Sequence, residues 1–310
     1  MRFIRIIARM KPVIIAIGFI SGSLATHGFA QELTPRAYWP APQGTSIASV
    51  AFKHVSGDTV PDPSLPINGV DSSINTLVAG YRHTTSLWGR TTNLSVELPY
   101  SMGDTRADRI DGETLGADYD GVGDIAFSAS LNLLGAPAMS PQEFADLRHN
   151  PVPQLGVSLK IVAPSGDYNP DKLINVGTNR WAAKTGVGYI APINQHWLLE
   201  FELASWFFAD NDDYLGFKRQ QDPITSGQVH LVRRFSAGFW ASLNGNYYRG
   251  GRSQIGERRL DDLQRDSKLG LTVVYPLSRR GAVKLGYTNG SINDSGESFD
   301  TFLLSYSWVL

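Results

Sequence analysis

Along most of this chain apolar residues recur at every second position, with polar residues between them. The last nine residues show the pattern plainly: Phe302, Leu304, Tyr306, Trp308 and Leu310 share one parity, and Ser305 and Ser307 the other. A period of two makes this a β-strand with one apolar, aromatic-rich side. Unpaired strand edges recruit other chains, and in a bilayer no strand edge can stay open. The terminal strand therefore predicts a sheet closed by pairing its last strand with its first. In isolation, a final sandwich strand would read alike. Tyr306 and Trp308 near the end suit the aromatic girdle of an outer-membrane barrel.

The same alternation predicts about twelve strands. They fall near residues 45–55, 73–83, 92–102, 122–134, 154–163, 180–191, 197–208, 224–233 and 237–248, then around Lys268–Tyr275 and Val283–Thr288, and at the terminus. In the third, Leu94, Val96, Leu98 and Tyr100 oppose Asn93, Ser95 and Glu97; in the seventh, Trp197, Leu199, Phe201 and Leu203 oppose Glu200 and Glu202. Connections alternate between long polar ones (56–71, 103–120, 164–179, 209–222, 249–266, 289–298) and short ones (84–90, 192–196, 234–236, 276–281). With both termini periplasmic, the long set falls outside and the short set inside, as outer-membrane barrels require. The connection 135–152 belongs to the short set yet is long. Its Ser140-Pro141-Gln142-Glu143 is an N-cap, proline and capping-box sequence, which predicts a brief periplasmic helix over 142–147.

The expected fold is all-β: a single closed antiparallel transmembrane β-barrel of about twelve strands with one short helix. Composition narrows the picture. The 310 residues carry Lys+Arg 28 against Asp+Glu 29, a net charge of −1, so there is no basic footprint for nucleic acid. A mean hydropathy of −0.16 excludes a helical membrane bundle but not a barrel, whose strands are half apolar. No cysteine is present, which removes disulfides, thiol catalysis and a lipoprotein anchor. Arg2, Arg5, Arg9 and Lys11, then the apolar run Val13 to Ile20, then Gly28-Phe29-Ala30, read as a cleaved signal peptide over 1–30, with the barrel domain at 31–310. The apolar run is too short for a membrane anchor. A sandwich shares the alternation but not the even strand count, the long–short connections and the export signal together.

On this register Glu97, Asp124, Lys160, Lys184, Glu200, Glu202, Lys268 and Lys284 face the lumen. Charge in a narrow lumen needs partners, so these residues either brace the interior or line a solute path. A barrel hydrolase would need Ser, His and a carboxylate together. His54, His83, His149, His196 and His230 carry no such pattern, and there is no G-x-S-x-G. No catalytic residue, cofactor or metal site is assigned. The acidic run Asp210, Asn211, Asp212 and Asp213 lacks the spacing of a calcium loop and reads as a solvated turn. The connection 164–181 mixes turn formers with the apolar pair Leu173 and Ile174, which need something to bury against. The loop either folds back and plugs the barrel or lines the way in for a small apolar solute.

The run APSGDYNPDKLINVGTNRW (163–181), with LGVSLKIVAP, VELPY and DGVGDI before it, resembles the outer-membrane family called "MetA-pathway of phenol degradation". The resemblance implies a barrel that passes small, often aromatic, hydrophobic compounds, with outer-membrane lipid around it and no catalytic residues. It marks Asp171, Lys172, Asn175, Asn179 and Arg180 as mouth or gate residues. The terminal strand also resembles the signal read by the bacterial barrel-assembly machinery, which usually ends in Phe or Trp where this chain has Leu310. The expected function is outer-membrane uptake of small hydrophobic or aromatic compounds. The alternatives are a closed structural or interaction barrel and, less favoured, a barrel hydrolase.

Overall fold

The computed structural model describes residues 33–59, 70–108, 114–293 and 299–310. The expected signal peptide lies outside the described residues. In chain order the elements are β1 (Ser46–Gly57), β2 (Asp71–Leu87), β3 (Arg90–Asp108), β4 (Thr114–Val122), β5 (Ala126–Leu134), α1 (Pro141–His149), β6 (Gln154–Val162), β7 (Ala182–Pro192), β8 (Trp197–Phe208), β9 (Asn211–Tyr214), β10 (Phe217–Gln221), β11 (Ile224–Ser236), β12 (Phe239–Gly250), β13 (Ser253–Ile255), β14 (Arg258–Arg259), β15 (Gln264–Pro276), β16 (Gly281–Asn293) and β17 (Phe299–Val309).

Among the described residues the wall is a closed antiparallel ring of twelve strands: β1, β2, β3, β5, β6, β7, β8, β11, β12, β15, β16 and β17. The first and last strands close it, in register from Ile47↔Val309 to Gly57↔Phe299. The start of β1, the end of β17, the short turns and α1 lie at one end, the helix end. The long connections form the loop end. Outward positions carry Leu77, Leu98, Phe127, Leu159, Phe201, Leu243, Leu271 and Leu304, all exposed. Tyr189, Tyr275 and Tyr306 lie toward the helix end of this apolar belt, and Trp181, Phe207 and Tyr287 toward the loop end. That arrangement matches hydrocarbon between two interfaces.

At the loop end the structure departs from the sequence expectations. The fourth wall strand is broken: β4 pairs with the upper part of β3 (Tyr100↔Val122) and β5 with the lower part (Thr92↔Leu131), leaving Gly123-Asp124-Ile125 between them. The connection 103–120, expected as a polar loop, contains the end of β3 and most of β4. Its alternation is polar because no lipid faces it; Arg106 instead bridges Asp104 at 3.3 Å and Asp118 at 3.1 Å. Likewise the connections 209–222 and 249–266 hold a small sheet of β9, β10, β13 and β14. There Lys218 reaches Asp210 at 2.7 Å and Asp212 at 3.2 Å, which offsets part of the acidic turn's charge. Arg180 and Trp181, placed at the start of the sixth strand by sequence, precede β7.

α1 forms as its capping box dictates. Glu143 N donates to Ser140 Oγ at 3.3 Å, and Ser140 N to Glu143 Oε2 at 2.8 Å. Its Phe144 is buried at the helix end of the lumen with Met139, Trp39, Trp240, Leu198 and Val232.

Candidate functional site

The interior is occupied from the helix end by residues 33–43, which double back into the barrel before β1. Arg36 adopts a left-handed φ of 65°, an uncommon conformation for a non-glycine residue. Its main-chain N donates to Glu200 Oε2 at 2.6 Å, and its guanidinium lies 4.3 Å over Trp39 and 5.3 Å over Trp240. Thr34 N donates to Gln228 Oε1 at 3.0 Å, and Asn132 Nδ2 donates to Tyr38 O at 3.0 Å. Tyr38 also shares a 2.9 Å hydrogen bond with Ser158 Oγ. The wall is cut to receive the Tyr38 ring. A Cβ at Gly188 would stand 2.1 Å from Tyr38 Cε2, and one at Gly156 2.6 Å from Tyr38 Cδ1. Only glycine admits the ring so close to a strand.

Beside this segment runs a charged waist. Lys160 and Lys184 face each other across β6 and β7, an arrangement that is unfavourable for like charges. Each is answered from its other side: Glu97 of β3 meets Lys160 at 3.2 Å, and Glu202 of β8 meets Lys184 at 2.7 Å. These residues, with Arg82, Ser95 and Thr34, line a cavity of about 80 Å³. Benzene fits an apolar cavity of roughly 150 Å³, so this space admits water but no aromatic ring. Around the ring, His230 Nδ1 and Asn244 Oδ1 are 2.9 Å apart, and Asn244 Nδ2 donates to Thr272 Oγ1 at 3.0 Å. Lys268 Nζ sits 3.1 Å over Phe299, where an apolar cluster of Val55, Ile74, Tyr119, Ile174 and Tyr214 begins.

At the loop end, the segment 163–181 seals the broken strand. Asp124 in the break accepts from Gly166 N at 2.8 Å, Thr178 N at 2.9 Å and Thr178 Oγ1 at 2.6 Å. Asp167 accepts from Val122 N at 2.7 Å and donates its own N to Val122 O at 2.8 Å. The approach is backbone to backbone: a Cβ at Gly166 would lie 2.8 Å from Asp124 N, and one at Gly177 2.7 Å from Gly166 C. The two stretches that carried the family resemblance, DGVGDI and 163–181, thus meet in space, although 42 residues separate Asp124 from Gly166.

The expected residues are placed as follows. Glu97, Lys160, Lys184, Glu200, Glu202, Lys268 and Lys284 are inward and largely buried, while Asp124 holds the 163–181 loop rather than projecting from a strand. Asp171, Lys172 and Asn179 are exposed on that loop. Asn175 is buried and braces it, accepting from Asn169 N at 2.8 Å and donating to Lys172 O at 2.9 Å. Arg180 is buried under Phe208 at 4.5 Å, with Nη2 donating to Gln221 Oε1 at 2.6 Å. Of the apolar pair, Ile174 is buried and Leu173 exposed. Sequence reasoning missed Thr34, Arg36, Tyr38 and Trp39. The available signal was an arginine–aromatic run between Pro35 and Pro40 that fits no strand.

The fold is that of solved outer-membrane barrels. An outer membrane channel from Pseudomonas putida F1 matches with a TM-score of 0.74 at 21% identity, over 90% of this chain and 100% of that one. The transport unit of the autotransporter AIDA-I from Escherichia coli matches at 0.50 and 11% identity, over 85% and 90%. Comparison with curated protein sequences finds no match. A family model matches residues 51–299, from β1 to β17 and across both the strand break and the segment that seals it, and the chain belongs to that family, described as "Putative MetA-pathway of phenol degradation".

Proposed function

We propose that this protein is an outer-membrane channel for uptake of small, hydrophobic or aromatic compounds, closed in this structure by residues 33–43 and by the 163–181 loop. The observation that carries the reading is a lumen filled by a separable segment rather than by wall side chains alone. Tyr38 and Trp39 belong to no strand of the ring, so their departure breaks none of its pairings. Membership of a phenol-degradation family and a fold shared with an outer membrane channel support the same reading. The chain is exported by its signal peptide, reaches the membrane through the barrel-assembly machinery acting on β17, and sets its helix end toward the periplasm. Glu97, Lys160, Lys184, Glu200, Glu202, Lys268 and Lys284 line the path. Asp171, Lys172, Asn175, Asn179 and Arg180 form the mouth, latched by Asp124. It carries out no catalysis.

A closed structural barrel is the second reading, favoured by the paired waist and the cavity of about 80 Å³. Liposome flux separates the two. Toluate-like aromatics should enter protein-bearing liposomes faster than protein-free ones, and faster than sugars of similar size. Deleting residues 171–180 should change that rate. Flux equal to the protein-free control for both solutes would sink the channel.

A further inference from the structure

A cleft of about 180 Å³ opens at the helix end, apart from the waist. It is lined by Arg148 and His149 of α1, Gln195 and His196 of the β7–β8 turn, and Arg234 and Phe235 of β11. Three elements thus deliver two guanidiniums and two imidazoles to one space, and no carboxylate lines it. Arg234 Nη2 donates to Arg148 O, while its Nη1 is buried with no hydrogen-bond partner. Arg148 lies 5.8 Å from the Phe144 ring centroid, and burial lowers its pKa. Arg36 adds a third guanidinium close by: it and Arg234 lie over the same Trp39 ring, at 4.3 and 5.3 Å.

The last turn of α1 accounts for Arg148 and His149, since helix C-termini favour cations. It does not account for Arg234, which comes from another element and lines the same cleft. Arg148 and Arg234 are half-buried, and no carboxylate lines the cleft between them; guanidiniums drawn partly out of water without a counter-ion are costly, and a planar oxyanion matches their fork geometry. The cleft exceeds the roughly 150 Å³ that holds a benzene ring. Phe235 lines one side, its ring stacked on Phe239 at 4.6 Å and 5.8 Å from the Arg233 guanidinium.

We propose that this cleft is an oxyanion site that takes an aromatic carboxylate, its ring against Phe235 and its carboxylate between Arg148 and Arg234. The inference deepens the channel reading, on which it rests for the occupant's origin, by naming aromatic acids as solutes held at the inner mouth.

The test is equilibrium binding of benzoate to the folded full-length barrel in phosphatidylcholine nanodiscs, with benzyl alcohol and inorganic phosphate alongside. Benzoate should saturate, and benzyl alcohol and phosphate should bind at least tenfold more weakly. Arg148→Gln alone and Arg148→Gln with Arg234→Gln should each weaken benzoate at least threefold and tenfold respectively. The single variant sits on the surface helix and keeps the test valid if the double variant misfolds. Equal binding of benzyl alcohol, or unchanged affinity in Arg148→Gln, would overturn the site. Equal binding of phosphate, or loss of benzoate binding in phosphatidylglycerol nanodiscs, would assign it to a phosphate or lipid headgroup instead and overturn the aromatic acid. Because binding is read without flux, a barrel that binds benzoate but passes nothing would refute the channel and leave the site standing.

Discussion

At the residue scale, the two closures depend on contacts that tolerate no extra atoms and on one carboxylate. The Tyr38 ring occupies the place where a side chain at Gly188 would be. Gly188→Ala should therefore expel the ring, at a cost of about 1–3 kcal/mol for overpacking, and raise ion conductance in a planar bilayer. In a Tyr38→Ala background the same substitution should have little further effect, because the space is free. Conductance unchanged by Gly188→Ala would place the ring elsewhere. Asp124 gathers three donors from the 163–181 loop. Hydrogen bonds to charged groups contribute about 1.5–3 kcal/mol each, so Asp124→Ala should free residues 163–181 to nicking by protease while the rest of the barrel resists. A loop as resistant as in the parent protein would remove Asp124 from the latch. Neither role was legible beforehand. Parity alone marked Asp124 as inward, but its partners lie beyond a strand break that parity does not report. The segment before β1 has no periodicity by which to place it.

At the element scale, local rules were sufficient where the element is local. The capping box gave α1 to within two residues, because Ser140 and Glu143 satisfy one another without outside help. Inward and outward parity also held along β3, β8 and β17, where lipid on one side and a polar lumen on the other enforce it. It failed beyond the lipid, where β4, β9 and β10 pair through their main chains but carry polar side chains, so that sequence shows only turns. The helix yields a pH prediction. Hydrogen bonds from the main chain and then the hydroxyl of Ser140 hold the Glu143 carboxyl below the usual range. A depressed carboxylate contributes stability that is present above its unfolded pKa and lost as pH falls through its folded one. Amide protection in α1, corrected for intrinsic exchange, should thus drop as pH falls below about 4, the ordinary glutamate range. Glu143→Gln should flatten that dependence, and Ser140→Ala should cost about 1 kcal/mol of helix protection at neutral pH. Protection independent of pH in the parent protein would mean that the box contributes nothing.

At the scale of the whole molecule, one ring serves two solvents. Its outer face satisfies hydrocarbon, while its inner face neutralises Lys160 and Lys184 with carboxylates from β3 and β8. Lys160 and Lys184 keep their carboxylates without the inserted segment, so removing residues 33–39 should leave the ring intact and its lumen wet, with Glu200 hydrated in place of its contact to Arg36. The most direct measurement is ionic current through single proteins in a planar bilayer, comparing the parent with a variant lacking residues 33–39. The deletion should raise the open current several-fold, and phenol added on the loop side should then block it saturably while a sugar of similar size does not. A deletion that leaves the current unchanged, or a block indifferent to the aromatic ring, would contradict a plugged channel for aromatic solutes.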